Sequence, residues 1–169
     1  EDLREERQQV IQAVLELGHI PVGMEVFPSA DESPWEVIEK TISESDYYIV
    51  LSAGRYGSVG AEGVGYTERE FDLALKLQIP IIGFIHAAPG DLPQIKRERS
   101  PEMSAKLLTF QSKIRERHIR SWMSAAELGL QASKAITYAT RMMPRTGWVR
   151  ADRARSFADM EKIENLRTE

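Results

Sequence analysis

Two short apolar runs narrow the folds open to this chain. DYYIVLS at 46–52 and IPIIGFI at 79–85 are strand-length and rich in β-branched and aromatic residues. Between them lie a glycine-rich loop and, over 67–78, apolar residues at helical spacing. Two strands joined through one helix pair in parallel, because a tight hairpin cannot return the chain to the same sheet edge. The right-handed crossover then lays the helix on one face of the sheet.

The rest of the chain repeats that alternation. Leu3, Val10, Val14 and Leu17 give a helix over 2–17 that Gly18 ends. IPVGM at 20–24 reads as a buried strand. Ser33, Pro34 and Glu36 form a helix start with Trp35, Val37, Ile38 and Ile42 behind it. Further helices are expected over 101–117 and 124–142, with a short strand, HIRSWM, between them. The order predicts an α/β fold, a flavodoxin-like parallel sheet with helices on both faces. Residues 1–150 form that domain, and the polar pattern of 151–169 reads as a helical linker toward a downstream domain. EDLREER opens the chain without a methionine, so it reads as a piece of a longer protein.

Composition excludes several roles. The formal net charge of −4 offers no basic field for nucleic acid. There are no cysteines, and His19, His86 and His118 stand far apart, so no metal site is expected. The absence of cysteine fits a cytoplasmic protein. No apolar run approaches the roughly 18 residues of a membrane span.

In such sheets ligands bind beyond the carboxyl ends of the strands. Three loops belong to that edge: 25–33, 52–66 and 86–100. The second leads into a helix whose charges segregate. At about 100° per residue, Glu68, Arg69, Asp72 and Lys76 share one arc. Glu70 falls inside the apolar arc, between Leu77 and Ala74. Thr67 through Glu70 has the form of a capping box, which explains Glu70 without chemistry. A half-shielded carboxylate at a ligand edge can also support a sugar cation or position a hydroxyl. Arg55 and Tyr56 offer a phosphate partner and a stacking face, and Gly57, Gly60, Gly63 and Gly65 allow close backbone approach. His86 reads as a solvated loop histidine, with a proton carrier as the alternative. Trp148 and Arg150 read as fasteners of the exit segment, and Asp46 as a cap for the helix before it.

HIPVGMEVFPSADESPWEVIEKTISESDYYIVLSAGRYGSV, then GVGYTEREFDLALKLQIPIIGFIH, ELGLQASKAI and GWVRAD, resemble the family called domain of unknown function 4062. The resemblance covers about residues 2–152. Members begin with a strand before the DLREER helix, which implies that the first, central strand is missing from this sequence. More distantly, the order of strand, serine, glycine loop and glutamate-bearing helix is similar to Toll/interleukin-1 receptor (TIR) domains. In TIR enzymes a glutamate on this helix is needed to cleave the N-glycosidic bond of NAD. The matching position is Glu70, with Glu68 as the second candidate. The 25–33 loop takes the place of the flexible gating loop of TIR domains, although FPSADESPW lacks their arginine-aspartate and proline-glycine pattern.

The candidate catalytic residue is therefore Glu70. The candidate nucleotide contacts are Arg55, Tyr56, Gly57, Tyr66, Phe27 and Trp35. NAD or a related nucleotide is the expected ligand or substrate, with no resident cofactor. The expected partners are a second copy of the chain and its downstream domains. Two functions fit: an effector domain of a larger prokaryotic protein that cleaves NAD on assembly, in defence or signalling, or a non-catalytic module for self-association or nucleotide sensing.

Overall fold

The computed structural model describes residues 2–23, 34–117 and 119–148. In these residues three parallel strands form one sheet in the order β1-β2-β3. They are β1 (Tyr48–Ser52), β2 (Ile81–His86) and β3 (Ile119–Trp122). Tyr48 pairs with Ile81 and Ser52 with Ile85, and on the other side His86 pairs with Trp122. Helices α1 (Arg4–Glu16), α2 (Pro34–Ser43), α3 (Tyr66–Lys76), α4 (Pro101–Arg115) and α5 (Ala125–Met142) surround it. This is the α/β, flavodoxin-like arrangement expected from the order of elements.

Strand alternation sorts the core into two layers. Ile82, Phe84 and Trp122 point toward α1 and α5, where Val10, Val14, Leu128 and Ile136 cover them. Val50 and Ile85 point the other way, onto Phe71 of α3 and Phe110 and Ile114 of α4. Helix α2 lies outside the sheet and packs Ile38 and Ile42 against Ala74 of α3. Two helix starts are capped as serine chemistry favours: Ser100 accepts from the Met103 amide, and Ser124 from the Glu127 amide. No helix among the described residues is long and apolar enough to cross a membrane.

The expected strand at 20–24 does not form over its described part. Residues 20–23 have no strand conformation, and Ile20 and Val22 are 73% and 53% exposed. An apolar run becomes a strand only beside a partner, and β1, at the sheet edge, does not pair with it among the described residues. Pro21 also lacks an N–H to donate to a ladder.

The exit segment is fastened differently from expectation. Trp148 is 77% exposed and holds nothing down, while Arg150 lies outside the described residues. The Gly147 amide donates to Asp46 at 3.1 Å, and the Tyr47 hydroxyl donates to the Met143 carbonyl at 2.7 Å. Asp46 thus receives the exit chain rather than capping α2. Residues 151–169, read as a linker, lie outside the described residues.

Gly83 is the tightest point of the sheet core. A β-carbon there would meet Ile114 Cγ2 at 2.9 Å and Ile119 Cγ2 at 3.1 Å. Both are branched side chains in packed positions, so the added methyl overpacks the site. Gly83→Ala should lower the unfolding free energy by about 1–3 kcal/mol in urea titrations, with the m-value unchanged.

Candidate functional site

The loop from β1 to α3 is an ordered structure of its own. Val59 bridges Gly65 in antiparallel fashion. The Gly60 amide donates to the Val64 carbonyl, and the Tyr66 amide to the Ser58 carbonyl. Gly57 and Gly63 adopt φ of 94° and 76°, a region that favours glycine. At Gly65 a β-carbon would approach the Tyr56 ring to 3.1 Å. The glycines expected to let a ligand approach therefore serve the folding of the loop itself.

Tyr56 is the centre of that loop. Its ring is 4% exposed and stands edge-on to Phe110. Its hydroxyl accepts from the Gly65 amide at 3.0 Å and donates to Glu68 Oε2 at 2.5 Å. The expected stacking face is thus corrected: both sides of the Tyr56 group are taken by the protein. Glu68 is held further by Lys113, which also pairs with Asp72. That clamp makes Glu68 a tie between α3 and α4.

The tie on Gly65 sets where α3 begins. Gly65 stands in the cap position with no side-chain cap, and Tyr66 is the first helical residue. Thr67 is therefore inside the helix and Glu70 in its second turn, so the expected capping box does not exist. Glu70 Oε2 instead accepts from the Tyr48 hydroxyl at 3.1 Å. Tyr48 lies at the start of β1 and packs against the α2–α3 cluster. Burial raises the Glu70 pKa above the ordinary carboxylate value, and the Tyr48 hydrogen bond and the Arg7 charge pull the other way without cancelling it. The Tyr48 hydroxyl is itself held well above its ordinary value by burial, then by the Glu70 charge. It stays protonated and remains a donor.

Around this carboxylate the structure brings together several other groups. The Arg69 guanidinium lies 3.9 Å from the Trp35 ring centroid, a cation–π contact between α3 and α2. Tyr66 is half-buried against the same cluster. Arg55 and Gly57 are exposed on the loop. Phe27 and the rest of the 25–33 loop lie outside the described residues. Tyr48, Arg7 and Arg69 were not identified from the sequence. The position of Tyr48 in a β-branched and aromatic strand gave no sign that its hydroxyl reaches another helix.

The neighbouring part of the ligand edge is closed. Residues 87–100 cross the end of β1 as a strap. The Glu98 amide donates to the Gly54 carbonyl at 2.7 Å, and its carboxylate accepts from the Tyr56 amide at 2.9 Å. The strap approaches so closely that a β-carbon at Gly54 would collide with the Lys96 carbonyl. Lys96 then reaches α1 and pairs with buried Glu6 at 2.9 Å. Under the strap, His86 is 3% exposed, edge-on to Trp122, and its Nδ1 accepts from the Ala88 amide. This corrects the reading of His86 as a solvated loop residue. It shares the inward face of β2 with Ile82 and Phe84, an alternation the sequence did contain. Glu70 stands away from the strap, beside Tyr48 at the start of β1. A shallow groove of about 540 Å³ on α5, lined by Lys134, Tyr138, Arg141 and Met142 among others, lies on the opposite face of the sheet.

A raised carboxyl pKa has a sign in stability. The folded state favours protonated Glu70, so its contribution is full below the unfolded pKa and is lost as pH rises through the folded one. Glu70→Gln removes that loss while keeping an acceptor for Tyr48. Thermal melts should show a higher Tm for the variant at pH 7 and a shrinking advantage as pH falls toward 4. A carboxylate stabilised in its charged form by the fold would give the reverse, a lower Tm at pH 7.

The comparisons with known proteins give a family and are silent on chemistry. No curated protein and no solved structure matches the chain. Residues 1–137 match the family described as Domain of unknown function (DUF4062). With most of its length matched, the chain belongs to the DUF4062 family.

Proposed function

We propose that this domain binds NAD or a related nucleotide beside the start of α3 and cleaves its nicotinamide–ribose bond when the protein assembles. The observation that carries the reading is Glu70: an ionisable carboxylate, freed from capping and half-buried beside Tyr48 of β1. Its likeness in position to the glutamate of TIR enzymes supports the same role.

The chemistry asks little of the protein. Breaking the C1′–N bond sends its electron pair to the nicotinamide ring and neutralises the pyridinium. The ribosyl cation left behind gains from a carboxylate in a site of low dielectric. Water then adds to C1′ and releases a proton to solvent. Arg55, exposed on the loop, and Arg69, stacked on Trp35, would be the cations that meet the phosphates. Ionised Glu70 is the useful form, so its raised pKa sets the acid limb of activity above the ordinary carboxylate range.

The test is nicotinamide release from NAD by the full-length protein, dilute and under forced oligomerisation. Wild type should release nicotinamide in the assembled form, and Glu70→Gln should lose about 100-fold or more of that rate while staying folded. Absence of release in both forms would contradict the reading.

A second reading rests on the outer face of α5. Leu130, Tyr138 and Met142 are each more than half exposed, on one stripe of the helix. A self-associating module without catalysis would use such a stripe, and this chain would then pass its state to other domains. Tyr138→Glu would reduce oligomer mass in light scattering without altering the monomer's fold. An unchanged mass distribution would remove α5 as the assembly surface.

A further inference from the structure

The hydrogen bond between Tyr48 and Glu70 has a use that neither the family nor the helix pattern assigns. Tyr48 stands on the strand and Glu70 on the helix, so the pair bridges two rigid elements. The hydroxyl proton goes to Oε2 at 3.1 Å; the Thr67 carbonyl at 3.5 Å is the weaker alternative. Among the described residues, no group donates a hydrogen bond to Oε1. Among these residues the carboxylate is held through Oε2. We infer that Tyr48 is the positioning residue for Glu70: its hydroxyl fixes the carboxylate's orientation from the sheet side. This rests on the role proposed above for Glu70.

The surroundings leave few other groups to do this. From α1, Arg7 adds a favourable charge to Glu70 without a hydrogen bond to it. From α2, Ile38 and Ile42 are apolar, and Trp35 is occupied by Arg69. On α3 itself, Glu68 and Asp72 are turned to Lys113 of α4. Tyr48 is thus the hydrogen-bond donor to the carboxylate among the described residues, and it packs against the cluster of Ile38, Ile42, Ala74 and Ile79. A donor held by packing costs little reorganisation when the ligand arrives.

Two readouts separate this from a structural role. The first is the titration midpoint of Glu70, followed through its ¹³C-labelled side-chain carboxyl by NMR in the full-length protein. The second is the pH profile of nicotinamide release. In Tyr48→Phe the ring and its packing stay, and the donor goes. The Glu70 midpoint should rise, the acid limb of kcat should rise with it, and kcat should fall by about tenfold or more with KM little changed. Tyr47→Phe is the control: its hydroxyl serves the Met143 carbonyl, and its removal should leave the Glu70 midpoint where it was. An unchanged midpoint in folded Tyr48→Phe would overturn the inference. A raised midpoint in a protein that releases no nicotinamide would support Tyr48 as the positioning residue and overturn the hydrolase reading alone.

Discussion

The hydroxyl of Tyr56 is the small group on which the candidate site depends. It accepts from the Gly65 amide and donates to Glu68, inside a loop whose other turns are closed by backbone bonds. A buried hydrogen bond of this kind contributes about 1 kcal/mol, and leaving the Gly65 amide unpaired would cost more. Its larger effect is geometric. By holding Gly65 it sets the first residue of α3, and so the rotation of every side chain on that helix. Glu68 turns to Lys113 and α4, while Glu70 turns to Tyr48 of β1. Two acidic residues one position apart from a shared neighbour end in different environments for that reason.

The strap over β1 and β2 completes the division of labour. In an open parallel sheet, the carboxyl ends of the strands form a continuous edge available to ligands. Here Glu98 and Lys96 bring residues 87–100 down onto Gly54 and α1, and the inner part of that edge is filled by protein. Glu6, His86 and Trp122 lie beneath, and Glu6 Oε2 and Trp122 Nε1 make no hydrogen bond among the described residues. On the other side of β1, the Trp35–Arg69 pair and Glu70 stay within reach of the surface.

Much of the architecture was legible because it is written in local periods. Strands 46–52 and 79–85, and the helices that follow them, emerged within a few residues of their final bounds. The start of α3 was not legible, because a tertiary bond from Tyr56 holds Gly65 and the cap falls there, two residues before the apparent Thr67 cap. The strand at 20–24 failed because an apolar run carries no information about whether a neighbour will pair with it. Glu70 was visible as a charge out of place on its helix. Its partners were not: Tyr48 and Arg7 are distant in sequence, and their residue types are ordinary in a strand and on a helix surface. His86 was misread although its place in the alternation of β2 pointed inward.

The central claim is that Glu70 faces a bound nucleotide at the outer edge of β1. The most direct measurement is a titration of NAD into ¹⁵N-labelled protein, followed by amide and indole shifts. The account predicts saturable shifts at the Trp35 indole and at the amides of Gly57, Gly60 and Glu70, weakened in Glu70→Gln. Shifts that never saturate, or that gather on α5 while these signals stay still, would contradict it.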